Sequence, residues 1–404
     1  MPVDLTLSPW HPVAGVELAA GACGIKKGGA PDLVLARLAE GTTAAALFTQ
    51  SHFRAAPVTV GRANLEACGG RVRALVVNSG NANAGTGEPG IEDARRTCEA
   101  AARALGVPAA TVLPFSTGVI GQRLPIDRLG AGIEALAGEL GEHWEAAARA
   151  IMTTDTVPKL ASRRVEVGGA TVTLTGMCKG SGMIRPDMAT MLAYVFTDAA
   201  VAAPDLDATL RAVVGDSFNA ITVDGDTSTN DALTLAATGV GPRVAGTDLE
   251  PFVEALGALC TELAQAIVRD GEGATKFVTV RVAGGASREE CRSVAWAIAD
   301  SPLVKTALFA SDANVGRLLM AIGKARLPGD APLDASRVTV DVGDVRAFAA
   351  GGVAEGYTEE RGAAVFARDE IALTVDLGRG DAEARVYTSD LSHEYVSINA
   401  DYRS

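Results

Sequence analysis

The sequence predicts a layered fold of mixed α and β structure, α/β or α+β, in more than one unit. Three observations carry this. Short β-rich runs interleave with amphipathic helical patterns along the chain. Apolar types make up 48% of residues and charged types 21%, the balance of a globular protein with a sizeable core. The length of 404 residues exceeds one typical domain of ~150 residues.

The elements follow in order. Residues 71–78 (RVRALVVN) read as a strand, 91–106 as a helix and 111–115 (TVLPF) as a strand. The run 163–177 is a strand pair, because Gly168-Gly169 at its centre is a hairpin signal and argues for antiparallel pairing. Residues 191–197 (MLAYVFT) form another strand, and helices follow at 205–219 and 247–270. After Gly285 the pattern restarts with helices at 287–299 and 314–324 and strands at 338–342, 370–376 and 384–388. The expected division is therefore a larger unit over 1–285 and a smaller one over 286–404.

Composition excludes several functions. With 36 basic against 49 acidic residues the net charge is −13, the wrong sign for a nucleic-acid partner. Only 4% of residues are aromatic, too few for base-stacking platforms. An anionic substrate must then be held by a few local cations against the field of the whole molecule. The six cysteines lack CxxC spacing and read as reduced thiols of a cytoplasmic protein. The first fifteen residues lack a basic region and an apolar run, so no signal peptide is expected. No run approaches 18 apolar residues, so no membrane span is expected either.

The four histidines are not spaced with one another as metal ligands are, and His393-Glu394 lacks the second histidine of a zinc helix. No metal or cofactor is expected. Neither a GxSxG elbow nor a GxxxxGK[ST] loop occurs. The segment 85–90 (GTGEPG) fits GxGxxG, but Pro89 interrupts it and no acidic ribose partner follows ~20 residues on. A structural glycine loop is the better reading.

Chemistry concentrates in residues 177–199 (MCKGSGMIRPDMATMLAYVFTDA). A glycine-rich turn with Lys179 leads through Pro186 to Ala189-Thr190, and an apolar strand follows at once. Taken alone, a Thr at the head of a buried strand is an ordinary structural residue. After a small residue and a flexible loop it can do more. Its hydroxyl can attack the Ala189 carbonyl, and hydrolysis of the resulting ester leaves Thr190 as a new N-terminus. The freed α-amine, with an ordinary pKa of ~7.7–8.0, is then a base beside its own hydroxyl.

This segment resembles the self-cleaving block of the ornithine acetyltransferase (glutamate N-acetyltransferase) family. Further blocks agree in order along the chain: GGAPDL at 28–33, FTQSHFRAAPV at 48–58, VVNSGNANAGTG at 76–87, STGVIG at 116–121, MTTDTVPK at 152–159, DGDTSTND at 224–231, RDGEGATKF at 269–277 and INADYRS at 398–404. The resemblance covers essentially the whole chain.

It implies a four-layer α/β/β/α sandwich of the N-terminal-nucleophile type, cut between Ala189 and Thr190 into chains 1–189 and 190–404 that remain associated as α2β2. It implies Thr190 as nucleophile and Thr117 and Gly118 as oxyanion hole, although STG alone reads equally well as a helix N-cap turn. Thr153, Lys179, Glu272, Asn399 and Ser404 match substrate-binding positions, Thr153 being chosen over Thr154. Lys179 suits a substrate α-carboxylate and Glu272 its α-ammonium. Read alone, Lys179 is a loop lysine and Glu272 a surface turn residue. Asn399 and Ser404 imply a C-terminal tail folded back over the site.

The implied substrates are N-acetylornithine and glutamate, with acetyl-CoA a second donor in some members and no cofactor. The sequence departs from the family pattern at Gly85, where cysteine is common, and at 313–317. At Ser404, threonine is frequent in the family. An N-terminal-nucleophile aminopeptidase or amidohydrolase and a non-catalytic paralogue are the competing readings. Thr190→Ala is expected to run as one intact, inactive chain on a denaturing gel, and a cut mutant would remove Thr190 from the mechanism.

Overall fold

The structure, a computed structural model, describes residues 3–185, 191–330 and 332–401. It divides into two compact units. Among the described residues, the larger holds 6–219 and 226–267, and the smaller holds 3–5, 220–225 and 268–401.

Strands β1 (Val16–Gly21), β2 (Leu33–Leu38), β3 (Thr43–Phe48), β4 (Ala74–Asn81), β5 (Val112–Val119), β6 (Lys159–Val167), β7 (Ala170–Lys179) and β8 (Leu192–Thr197) belong to the larger unit. The short β9 (Ile221–Thr222) belongs to the smaller unit, and β10 (Ala232–Ala237) again to the larger. One sheet has the order β1-β2-β4-β5 and a second the order β3-β10-β8-β7-β6. Most neighbours are antiparallel, but β4 runs parallel to β5 and β8 parallel to β10.

Facing residues of both sheets share one core: Leu18, Val34, Leu75, Val77, Leu113 and Phe115 meet Phe48, Met177, Leu192, Tyr194 and Phe196. The sheets therefore stack face to face. Phe115 and Tyr194 interlock across the stack edge-to-face, with centroids 5.1 Å apart.

The opposite face of the first sheet, through Leu33, Leu35, Val76 and Val112, is covered by helices. These are α1 (Ala56–Ala67), α2 (Gly87–Leu105) and α3 (Ile126–Ala137). The short helix α4 (Trp144–Ala150) adds Trp144, Ala147 and Ala148 to the inter-sheet core.

On the outer face of the second sheet, after α5 (Ala203–Val214), lies α6 (Leu249–Arg269). The Cys178 thiol donates to the Leu263 carbonyl of α6. A Cβ at Gly176 would stand 2.6 Å from Leu263 Cδ1, so the glycine lets that helix side chain pack directly on the strand. The layer order is α/β/β/α, the sandwich implied by the resemblance. By length and composition α6 could pass for a membrane span. Its Leu256, Leu259, Leu263 and Ile267 are instead fully buried in the fold.

The smaller unit is a seven-stranded sheet. After β11 (Phe277–Gly285) come β12 (Thr339–Val342), β13 (Val345–Ala349), β14 (Gly352–Val353), β15 (Glu370–Asp376) and β16 (Ala382–Ser389), in the order β14-β13-β12-β15-β11-β16-β9. Its helices are α7 (Arg288–Ala299), α8 (Pro302–Phe309), α9 (Val315–Gly323), α10 (Glu359–Phe366) and α11 (His393–Asp401). Residues of α7, such as Val294 and Ile298, cluster with Val280, Val340 and Leu373 on one face of the sheet.

The compact units divide near 267, ahead of the boundary expected at 285. The reason is β11, which pairs with β15 on one side and β16 on the other and so belongs wholly to the C-terminal sheet.

The hairpin signal is realised. Gly168 and Gly169 both have positive φ, 58° and 81°, and join β6 to β7 with Val167 opposite Ala170. Ser287 and Asn314, read as first helical residues, are N-caps whose side chains accept from Glu290 N and Arg317 N. The helix read over 205–219 ends at Val214 and gives way to a 3₁₀ turn. GTGEPG opens α2, and a Cβ at Gly90 would stand 1.9 Å from Thr86 Oγ1. That glycine is a packing requirement of the loop, as the sequence suggested. By contrast β1 to β3, β10, α1, α3, α4, α8, α10 and α11 were not foreseen.

Trp144 is fully buried and meets Phe196 edge-to-face with centroids 5.5 Å apart. Trp144→Ala is expected to cost about 3–5 kcal/mol of stability, read as a lower urea midpoint.

Candidate active site

Thr117 and Gly118 lie at the end of β5 opposite Ser79 and Gly80 of β4, where the register shifts in a bulge at Gly80 and Asn81. STG is therefore strand, and the helix N-cap reading is corrected. Gly118 has φ 127°, and a Cβ there would stand 2.3 Å from Gly80 C and 2.6 Å from Asn81 N. The two strands approach too closely at this point for any side chain.

Lys179 is the last residue of β7 and pairs with Leu192, the first of β8. It is buried, not a loop lysine, and its Nζ donates to Thr117 Oγ1 at 3.4 Å across the two sheets. No carboxylate among the described residues forms an ion pair with it.

Beneath it lies a buried charge network that the sequence had not singled out. Asp155 and Lys159 are fully buried side chains joined at 2.7 Å. The same Asp155 oxygen accepts from the Gly180 amide at 2.7 Å, and its other oxygen accepts from Thr153 N at 3.0 Å. Burial opposes ionisation of Asp155, but Lys159, Lys179 and the Gly180 amide outweigh it and hold the carboxyl well below the usual range. Thr154 Oγ1 is 2.7 Å from Ser181 Oγ, so both threonines of the pair are anchored around the same turn.

Burial lowers the pKa of Lys26, against the pull of Asp32 and Asp155 and with the push of Lys179. Its Nζ donates to the Pro31 and Ala150 carbonyls. Lys26, Lys159 and Lys179 thus share this region, and Lys159 already has Asp155. Local positive charge is concentrated here in a protein of net charge −13.

Another wall is the DGDTSTND loop. Asn230 Nδ2 donates to the Ala82 and Ser116 carbonyls at 2.6 and 2.9 Å, which ties that loop to the residue before Thr117. Asp231 is buried just before β10, and burial drives its pKa well above the usual carboxylate value despite Ser228 and Lys179. Ala232 N donates to the Met191 carbonyl at the entry to β8. Ala189, Thr190 and Ser404 lie outside the described residues.

In the smaller unit, Glu272 is buried rather than a surface turn residue, and its Oε2 accepts from Asn399 Nδ2 of α11 at 2.7 Å. The structure thus brings Thr117, Gly118, Thr153 and Lys179 together in one unit, and Glu272 with Asn399 in the other. The one sequence signal for the buried pair was Asp155 and Lys159 four apart. No group of three His, Cys, Asp or Glu among the described residues could hold a metal ion. The cysteines are free thiols, and burial pushes Cys260 up to about 12.

The chain matches the ArgJ family model over residues 17–404. It is 51% identical over 400 residues to the arginine biosynthesis bifunctional protein ArgJ of Pseudomonas syringae pv. tomato, covering 98% of this chain and 97% of that one. The chain belongs to the ArgJ family.

Membership makes it an acyltransferase enzyme of arginine biosynthesis, as the motifs led us to expect. Among solved structures, the arginine biosynthesis bifunctional protein ArgJ of Bacillus halodurans shares 37% identity at a TM-score of 0.50, covering 53% of this chain and 100% of its own. The ornithine acetyltransferase of Mycobacterium tuberculosis, solved with ornithine, shares 39% identity at a TM-score of 0.38, covering 43% of this chain and 93% of its own.

The low carboxyl of Asp155 sets the sign of a pH effect. A carboxylate whose folded pKa is depressed contributes stability above its unfolded value, ~3.9, and that contribution is lost as pH falls toward the folded value. Asp155→Asn is expected to lower stability at neutral pH and to flatten the acid limb below about pH 4, read by denaturant midpoints across pH.

Proposed function

We propose that the protein transfers the acetyl group of N-acetylornithine to glutamate through an acetyl-enzyme on Thr190, after cutting its own chain between Ala189 and Thr190. The observation that carries this is the contact of Lys179 with Thr117. It joins the strand that pairs with β8, whose first residue follows Thr190 and Met191, to the end of β5 that carries Thr117-Gly118.

In this reading the Thr190 hydroxyl attacks the acetyl carbonyl while its own α-amine takes the proton. The oxyanion is met by the Thr117 hydroxyl and the Gly118 amide. Collapse expels the ornithine amine, which leaves with the proton. The glutamate amine then attacks the ester in the reverse sense, giving ping-pong kinetics. In this reading Lys179 holds the substrate α-carboxylate, and Glu272 with Asn399 holds the side-chain ammonium of ornithine, because the α-nitrogen carries the acetyl group. Thr153 and Ser404 are the further substrate-binding residues that the family resemblance implies.

Self-cleavage has support from length. The solved Bacillus chain is spanned completely by 53% of this one. Residues 190–404 are likewise about 53% of 404. The two pieces remain associated as a cytoplasmic α2β2 assembly, and acetyl-CoA serves as a second donor.

Incubation with N-acetylornithine, with and without glutamate, separates transfer from hydrolysis. Ornithine release beyond one turnover is expected only with glutamate; release without it would make the protein an amidohydrolase. A parallel incubation with acetyl-CoA and glutamate tests the second donor. Thr117→Val is expected to lower kcat by ~10²–10³, the scale of one lost oxyanion donor, while the chain is still cut.

A further inference from the structure

The segment between β16 and α11 stands out once the Glu272–Asn399 contact is followed outward. Asp390 is buried, and its carboxylate accepts three hydrogen bonds from a single stretch of chain. Thr275 N and Lys276 N reach Oδ1 at 2.8 and 2.9 Å, and Thr275 Oγ1 reaches Oδ2 at 2.6 Å. These donors lie three and four residues past Glu272.

Two residues beyond Asp390, Ser392 Oγ donates to the Gly273 carbonyl at 2.7 Å, directly after Glu272. The same oxygen accepts from Tyr395 N at 3.3 Å, fixing the first turn of α11. Tyr395 OH donates to Asp224 at 3.2 Å, and the helix then delivers Asn399 to Glu272. There is no slack in this arrangement: a Cβ at Gly273 would stand 2.6 Å from both Ser392 Oγ and Tyr395 N.

The anchor is itself anchored. Lys305 of α8 is buried, its Nζ donates to Thr388 Oγ1 at 2.8 Å and to the Ser389 carbonyl, and its carbonyl accepts from Leu391 N at 3.2 Å. The lysine grips the backbone on both sides of Asp390, and the two charges attract. A buried carboxylate with three donors and a nearby cation is satisfied by charge-assisted bonds, which are stronger and more directional than neutral ones.

We propose that Asp390 is a positioning residue for the reaction. It sets the 272–276 loop and the start of α11 in one register, so that Glu272 and Asn399 meet the substrate ammonium as a preformed pair. The inference rests on the substrate role assigned to Glu272. Asp390 touches no substrate; it acts through the loop it holds.

Asp390→Ala, Asp390→Asn, Glu272→Gln and the Asp390→Ala/Glu272→Gln double variant test this, with kcat and KM for N-acetylornithine and self-cleavage read for each. Asp390→Ala is expected to raise KM about tenfold or more, the scale of one lost charge-assisted bond, with cleavage intact. Asp390→Asn keeps an acceptor for both amides and should recover most of the loss. The double variant should bind no worse than Glu272→Gln alone, because both changes act on one group.

A raised KM in Glu272→Gln with an unchanged KM in Asp390→Ala overturns the inference alone. Full additivity in the double variant, or loss of self-cleavage in Asp390→Ala and Asp390→Asn alike, makes Asp390 merely structural and overturns it too. An unchanged KM in Glu272→Gln overturns the substrate role of Glu272, and the inference with it.

Discussion

The buried pair of Asp155 and Lys159 is the constraint around which the larger unit's site is organised. Two charges removed from water are costly unless each finds further partners. Asp155 finds the Gly180 amide and the Thr153 amide as well as the lysine. Satisfying it therefore fixes the turn after β7 and the turn before β6 together. With Lys159 already paired, Lys179 remains as the cation that faces Thr117. Specific recognition of an anion in an acidic protein needs such a local surplus, because the long-range field opposes it.

The second constraint is steric. Stacked sheets place side chains between them wherever the strands are regular, and a reaction site needs an interruption. Gly118 supplies it: β4 and β5 come so near that only hydrogen fits, and the bulge beside it shifts their register. Hydrogen bonds from Asn230 bring the DGDTSTND loop to the same end of β5. Apolar packing of Phe115 on Tyr194, just inside this end, holds the two sheets in the alignment that lets Lys179 reach Thr117.

The smaller unit solves a similar problem with polar anchors. Glu272 sits on a loop, and loops are mobile unless their backbone is tied down. Asp390 and Ser392 tie it from one side, and α11 covers it from the other. The C-terminal segment, ordinarily a frayed part of a chain, is here bonded to the loop through Tyr395 and Asn399.

The sequence alone determined the strongly periodic elements and the hairpin, because amphipathic spacing and a Gly-Gly turn are local properties of the chain. It also carried the family, since motifs kept in order along 404 residues need no coordinates to be read. Strands β1 to β3 were illegible because six-residue apolar runs fit a strand and a buried helix segment equally well. The unit boundary fell at 267 rather than 285 because the partners of β11 are more than 90 residues away in sequence, and pairing at that distance leaves no local mark. Only the tertiary structure could show that Asp155 belongs under Lys179, or that Asp390 grips the Glu272 loop. Burial and the direction of a hydrogen bond are decided by what the rest of the chain brings alongside.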